Sequence, residues 1–201
     1  MINFLYNTFL GRAVLKIITK IRFSQLIQYY LNSKFSKHKI YTYIKKYHIP
    51  MEEYEEQKYT SFNEFFTRKI KEGKRPINRE TEKLCAVADA KLTYYKISKN
   101  LILKIKNFTY TVEELLKNKE LAEKYKGGIC LIFRLSPEDY HRYIYLDNGK
   151  QQENIKIKGI LHSVSPVATE KYKVYGQNSR EYTILQTENF GEVLQIEIGA
   201  L

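Results

Sequence analysis

Apolar side chains recur at three- and four-residue spacing near the start of the chain and in short, strand-like runs from residue 84 onward. Phe4, Leu5, Phe9, Ala13, Val14, Ile17, Ile18 and Ile21 follow the helical period, and Arg12, Lys16 and Lys20 form a separate row at i, i+4. Ser24 is placed to cap a second helix carrying Leu26, Ile27, Tyr30 and Leu31, and Ser36 a third carrying Ile40, Tyr41, Ile44 and Tyr47. The pattern predicts two or three amphipathic helices.

An acidic, polar stretch over 51–57 marks a soft boundary, dividing a helical segment (1–55) from a second region (56–201). Ser61-Phe62-Asn63-Glu64 has the form of a capping box, which predicts a short helix through Ile70 that stops near Gly73, with Arg75-Pro76 opening an extended connection. Strands are expected at 84–87, 92–97, 101–105, 129–135, 142–146, 155–161, 181–187 and 192–198. Thr111-Val112-Glu113-Glu114 caps a helical insertion ending at Gly127-Gly128, and Asp147-Asn148-Gly149 is a turn signal. The fold class that follows is α+β, with amphipathic helices first and a mostly antiparallel sheet after them. No internal repeat or low-complexity tract is present.

Charge sharpens this division. Of 34 Lys and Arg against 22 Asp and Glu, nine basic side chains and no acidic one fall in residues 1–51, so most of the net +12 lies in the first quarter. Ten aromatic side chains are interleaved with those nine cations. Such a surface suits anionic lipid, each cation near the membrane contributing on the order of 1 kcal/mol. It also fits nucleic acid by charge alone, and a helical bundle with solvated cations is the bland alternative. The composition, 43% hydrophobic and 28% charged, excludes a disordered chain. No stretch has the length and apolarity of a spanning helix, and no secretory signal is visible, so an intracellular protein is expected. Cys85 and Cys130 form no Cys-x-x-Cys pair and are expected to be buried free thiols, with no metal site.

Few residues offer chemistry. His38 and His48 sit among lysines in the basic helices. His141 stands between two expected strands in Ser136-Pro137-Glu138-Asp139-Tyr140-His141-Arg142, where a turn could present an imidazole for proton transfer with Asp139 or another acid fixing its tautomer. Asp89 follows an apolar run in Val87-Ala88-Asp89-Ala90, where small neighbours allow close approach of backbone or ligand, although a plain turn aspartate reads the same way. Phosphate-cradling glycine loops, His-Glu-x-x-His and Gly-x-Ser-x-Gly are absent.

Several segments, in collinear order, resemble the phosphatidylserine decarboxylase family. They are Ser61-Phe62-Asn63-Glu64-Phe65-Phe66-Thr67-Arg68 with Gly73 and Arg75-Pro76-Ile77; Val87-Ala88-Asp89; Tyr125-Lys126-Gly127-Gly128; Phe133-Arg134-Leu135 through Asp139-Tyr140-His141-Arg142; Gly159 to Pro166; Asn178-Ser179-Arg180-Glu181; and Asn189-Phe190-Gly191 to Gly199-Ala200. The resemblance implies a proenzyme that cuts itself at a Gly-Ser bond, leaving a β chain and a short α chain that begins with a pyruvoyl group. That carbonyl forms a Schiff base with the serine headgroup amine and accepts electrons as carbon dioxide leaves, giving phosphatidylethanolamine. By position, Asp89 matches the aspartate of the family's Asp-His-Ser self-cleavage triad, and His141 matches the histidine that serves decarboxylation as a proton donor.

Two departures qualify the expectation. Where many members carry a second histidine as the triad base, this chain has Ile144, so His162, in Leu161-His162-Ser163-Val164, or His141 is the expected replacement. No glycine of the nine is followed by serine, so the pyruvoyl-forming serine is missing and the chain reads as β-chain-like, incomplete at its C-terminus. The expected partners are anionic membrane lipid, phosphatidylserine above all, and a separate C-terminal α-chain-like fragment; nucleic acid is not expected. The expected location is the cytoplasmic face of the membrane, held peripherally. The rival reading is an inactive remnant that binds anionic membrane.

Overall fold

The computed structural model describes residues 2–19, 21–78 and 80–200, with backbone alone for residues 21–23. Lys20 of the predicted basic row and the final Leu201 lie outside the described residues, and so do the side chains of Ile21 and Arg22.

The first predicted helix is two, α1 (Ile2–Asn7) and α2 (Phe9–Ile18), because Thr8 is extended and its hydroxyl accepts from the Gly11 N–H, restarting the helix with a proper cap. Gly11 is required there, since a Cβ would lie 2.0 Å from the Phe4 carbonyl oxygen. Helix α3 (Ile21–Asn32) contains Ser24 rather than being capped by it. Ser36 also does not cap: it sits fully buried in a 3-10 turn (Lys34–His38) before α4 (Lys39–Tyr47). Its hydroxyl lies 2.9 Å from the Leu31 carbonyl and 2.7 Å from the Ser33 carbonyl, and accepts from the Phe62 N–H at 2.8 Å. The distant backbone of residue 62 outcompetes the local helix for this side chain.

Helix α5 (Phe62–Phe66) is capped by Ser61, whose hydroxyl accepts from the Glu64 N–H at 3.2 Å. The Glu64 carboxylate accepts from the backbone and hydroxyl of Thr60 at 2.6 and 2.7 Å, one residue further back than a capping box requires. The helix ends at Phe66 rather than Ile70, because Arg68 turns inward to full burial.

The strand region follows as β1 (Lys91–Lys96), β2 (Ile102–Ile105), β3 (Phe108–Thr111), α6 (Val112–Leu116), α7 (Lys119–Glu123), β4 (Ile129–Arg134), β5 (Gly149–Gln151), β6 (Ile155–Ile157), α8 (Pro166–Lys171), α9 (Val174–Gln177), β7 (Arg180–Thr187) and β8 (Glu192–Ile198). The fold is α+β, and its sheets are antiparallel. β1 pairs β4, β2 pairs β3, and β7 is the centre of the largest sheet, with β8 along one edge and β5 and β6 sharing the other. Thr111 caps α6 as expected, accepting from the Glu114 N–H at 2.9 Å. The expected strands at 84–87 and 142–146 are irregular chain; they meet through one backbone bond, Ile144 N–H to Val87 carbonyl at 2.8 Å, too little for a ladder. Cys85 and Cys130 are free, but half-buried rather than buried.

The described residues gather into two hydrophobic clusters. The larger gathers Tyr6 and Leu15 from the first helices with Leu103, Tyr110, Leu116 and Val174. The smaller is built of Ile49, Tyr54, Tyr59 and Phe65. Each draws on residues from both sides of position 55.

Ser36→Ala strips the acceptor from the Phe62 N–H inside the protein. The expected loss is about 1–3 kcal/mol, read as a lower urea midpoint with an unchanged slope.

Candidate active site

The turn carrying His141 is held by residues from the end of α5. The Phe66 ring stacks on the His141 ring with centroids 3.9 Å apart and planes at 27°. Arg142 donates from Nε and Nη2 to the Thr67 carbonyl, at 3.0 and 2.8 Å. Arg68 donates from Nη2 to the Glu138 and Asp139 carbonyls, each at 3.3 Å. Three consecutive residues, 66 to 68, thus grip a turn about seventy positions away. The Tyr43 hydroxyl adds a bond to the Pro137 carbonyl at 3.0 Å.

Within the turn, His141 Nε2 lies 3.0 Å from the Ser136 carbonyl oxygen. A carbonyl only accepts, so Nε2 carries the proton and the neutral ring has its lone pair on Nδ1. Asp139 does not touch the ring: its carboxylate accepts from the Ser136 N–H at 2.6 Å and so shapes the turn whose carbonyl sets the tautomer. Burial pushes the His141 pKa below the ordinary 6.5; the Ser136 carbonyl opposes this, the Arg68 charge adds to it and the Asp139 charge opposes it.

Asp89 lies elsewhere. Its carboxylate accepts from Arg75 Nε at 2.6 Å, and Arg75 Nη2 reaches Glu53 at 3.0 Å while Nη1 donates to the Lys74 carbonyl. The Asp89 hydrogen bond, first, and the Glu53 hydrogen bond hold the Arg75 pKa above its ordinary value, against the opposing effect of burial. Ile144, through its backbone bond to Val87, is joined to the segment that carries Asp89. Among the described residues no hydrogen bond, ion pair or ring contact joins Asp89 to His141 or His162.

His162 is buried in a third place. Its Nδ1 is 3.3 Å from the Tyr6 hydroxyl, which also accepts from the Ser163 N–H at 3.0 Å, and its ring stacks on Tyr172 at 4.7 Å. The Tyr6 hydroxyl can donate to Nδ1 or accept from it while it accepts from Ser163, so the contact anchors the ring in either tautomer. The His162 backbone is bracketed by the Asn178 side chain, which accepts from His162 N–H and donates to the carbonyls of His162 and Gly199. Burial alone pushes the His162 pKa below 6.5.

Sequence reasoning passed over Arg68, Arg75 and Tyr6. The arginines stand inside segments already singled out, Phe-Phe-x-Arg and Arg-Pro-Ile, but their partners lie 14 to 71 positions away; Tyr6 and His162 are 156 apart.

The family model described as phosphatidylserine decarboxylase matches residues 62–201. Curated relatives include a phosphatidylserine decarboxylase proenzyme 2 of Clostridium acetobutylicum, 50% identical over 201 residues, all of this chain and 69% of that protein. A phosphatidylserine decarboxylase proenzyme of Ruminiclostridium cellulolyticum is 42% identical over 205 residues, covering 100% of this chain and 68% of that protein. One from Clostridium novyi is 40% identical over 204 residues, with 99% and 69% covered.

Half-buried His141 and buried His162 both bind protons more weakly in the folded than in the unfolded chain, so acid favours unfolding. Stability is expected to be full above pH 6.5 and to fall as pH drops from there toward the lowered folded values. Urea unfolding at steps from pH 7.5 to about 5 checks this, and a His141→Gln, His162→Gln double variant should flatten the slope.

Proposed function

The chain belongs to the phosphatidylserine decarboxylase family, and from that premise we propose that it is the scaffold of an enzyme that turns phosphatidylserine into phosphatidylethanolamine and carbon dioxide. The observation that carries this reading is the meeting of the Phe-Phe-x-Arg and Asp-Tyr-His-Arg segments, which fold into one unit around His141. A bound pyruvoyl group would supply the electron sink for loss of carbon dioxide. His141 fits beside such a group: held neutral, with its proton on Nε2 and its lone pair on Nδ1, the ring can exchange a proton with reacting substrate and return to its starting state. Phe66 and the Arg142 fork fix the ring's plane and place.

No glycine in these 201 residues precedes a serine, so in this reading the group is carried by sequence outside them. The relatives' name, proenzyme, and their greater length support that division. Helices α1 to α4 form the membrane-facing surface. With the 3-10 turn between α3 and α4, they expose Phe9, Leu10, Ile17, Leu26, Tyr29, Phe35 and Tyr41 beside Arg12, Lys16, Lys34, Lys37, Lys39, Lys45 and Lys46, a combination suited to the anionic cytoplasmic leaflet. Among the described residues no helix is long and apolar enough to cross a membrane. A second reading, a membrane-bound chain without activity, is favoured by Ile144, which cannot take a proton, and by Arg75 on the Asp89 carboxylate.

The two readings separate in one assay. Carboxyl-labelled phosphatidylserine vesicles should release carbon dioxide when the chain is co-expressed with the polypeptide of the Clostridium acetobutylicum relative that lies outside the match, and His141→Ala should remove that release. A folded, vesicle-bound complex that releases none overturns the catalytic reading in favour of the inactive one. In flotation with anionic vesicles, Phe9→Ser with Phe35→Ser should weaken binding at least tenfold, and binding should fall as salt rises from 0.05 to 0.5 M; salt-insensitive binding, unchanged by the substitutions, would remove the proposed surface.

A further inference from the structure

Arg68 is 1% exposed and has no carboxylate within ion-pair distance among the described residues. A buried cation left this way is strongly disfavoured unless its hydrogen bonds and surroundings compensate. What surrounds it is specific. The guanidinium carbon lies 4.2 Å from the Tyr54 ring centroid and 5.2 Å from that of Phe65, so it packs over two aromatic rings. Nη2 donates to the Tyr54 hydroxyl at 3.1 Å and to the two carbonyls of Glu138 and Asp139, while Nε and Nη1 have no partner. A cation used only to fill space would be cheaply replaced by methionine, and one used for an ion pair would face an acid. This one faces the carbonyl oxygens of the turn that ends in His141.

We propose that Arg68 is a positioning residue for His141, its buried guanidinium holding the Glu138 and Asp139 carbonyls so that the imidazole is kept stacked on Phe66. This rests on the reading of His141 as the proton-carrying residue, but its geometry does not depend on that reading. The charge acts in the same sense as the geometry, because a nearby fixed cation disfavours imidazolium. The titratable and charged groups at the turn are its own Glu138, Asp139, Tyr140 and Arg142, with Arg68 and Tyr43 from the packed elements; of the charged side chains, Arg68 is the buried one.

The test is nuclear magnetic resonance of the His141 ring in the full chain, where a stacked Phe66 shifts the imidazole carbon-bound protons by its ring current, with pH titration of the same signals. Arg68→Met is expected to abolish most of the ring-current shift and to move the titration midpoint up toward 6.5. Arg68→Lys keeps a charge but loses the planar donor geometry, so it should lose the ring-current shift while its midpoint rises less. If Arg68→Met does not fold, Arg68→Lys decides alone. Folded variants that keep the wild-type shift and midpoint overturn the proposal, whatever their thermal stability. If these signals move while His141→Ala leaves decarboxylation intact in the reconstituted complex, the positioning role stands and the catalytic reading of His141 falls.

Discussion

A guanidinium buried against two aromatic rings, with carbonyl oxygens instead of a carboxylate as its partners, is the constraint around which the smaller cluster is arranged. Arg68 must leave helix α5 to reach that position, which is why the helix stops at Phe66. Tyr54 and Phe65 have to bring their rings against it, and each such contact contributes on the order of 2 kcal/mol when desolvated. The carbonyls of residues 138 and 139 have to point inward, and that dictates the shape of the loop between β4 and β5. The position of His141 follows from these requirements.

The neighbourhood of Asp89 is built on a different footing. Arg75 engages Asp89, Glu53 and its own chain neighbour, but its side chain is 39% exposed and that of Asp89 30% exposed. Water and salt screen such pairs, so they fasten the connection at 74–76 without making it rigid. His141 therefore stands on a buried core contact and Asp89, in its separate place, on a screened surface network. Ile144, at the position where the sequence resemblance leads one to expect a second histidine, is tied by its backbone to the segment that carries Asp89.

What could be read from the sequence was what depends on near neighbours. Thr111 and Ser61 cap their helices because a hydroxyl reaches an N–H three residues on, and the strands with clear alternation paired. Ser24 and Ser36 look the same locally, yet Ser24 lies inside a helix and Ser36 serves the backbone of Phe62, 26 positions away. Short strands such as β3 and β5 carry too few residues for a period to show, while 84–87 and 142–146 have the right composition but no partner along their length. The site followed the same rule. His141 and Asp89 were visible as residue types in turns, whereas the arginines that hold them and the Tyr6 contact that buries His162 exist only once the chain is folded.

The same long-range contacts connect the basic helices to the site. Phe35 is 82% exposed and the next residue, Ser36, is fully buried, so the 3-10 turn has one side in solvent and one in the protein. Ser36 holds the N–H of Phe62, the first residue of α5, and Phe66, the last, stacks on His141. A helix of this length advances only about 6 Å. The exposed aromatic and basic surface is thus separated from the candidate proton carrier by one short helix and two direct contacts. Under the proposed function, a headgroup substrate anchored in a bilayer needs that closeness, because its reacting carbon cannot travel far from the lipid surface, and packing between Ser36, α5 and His141 would supply it.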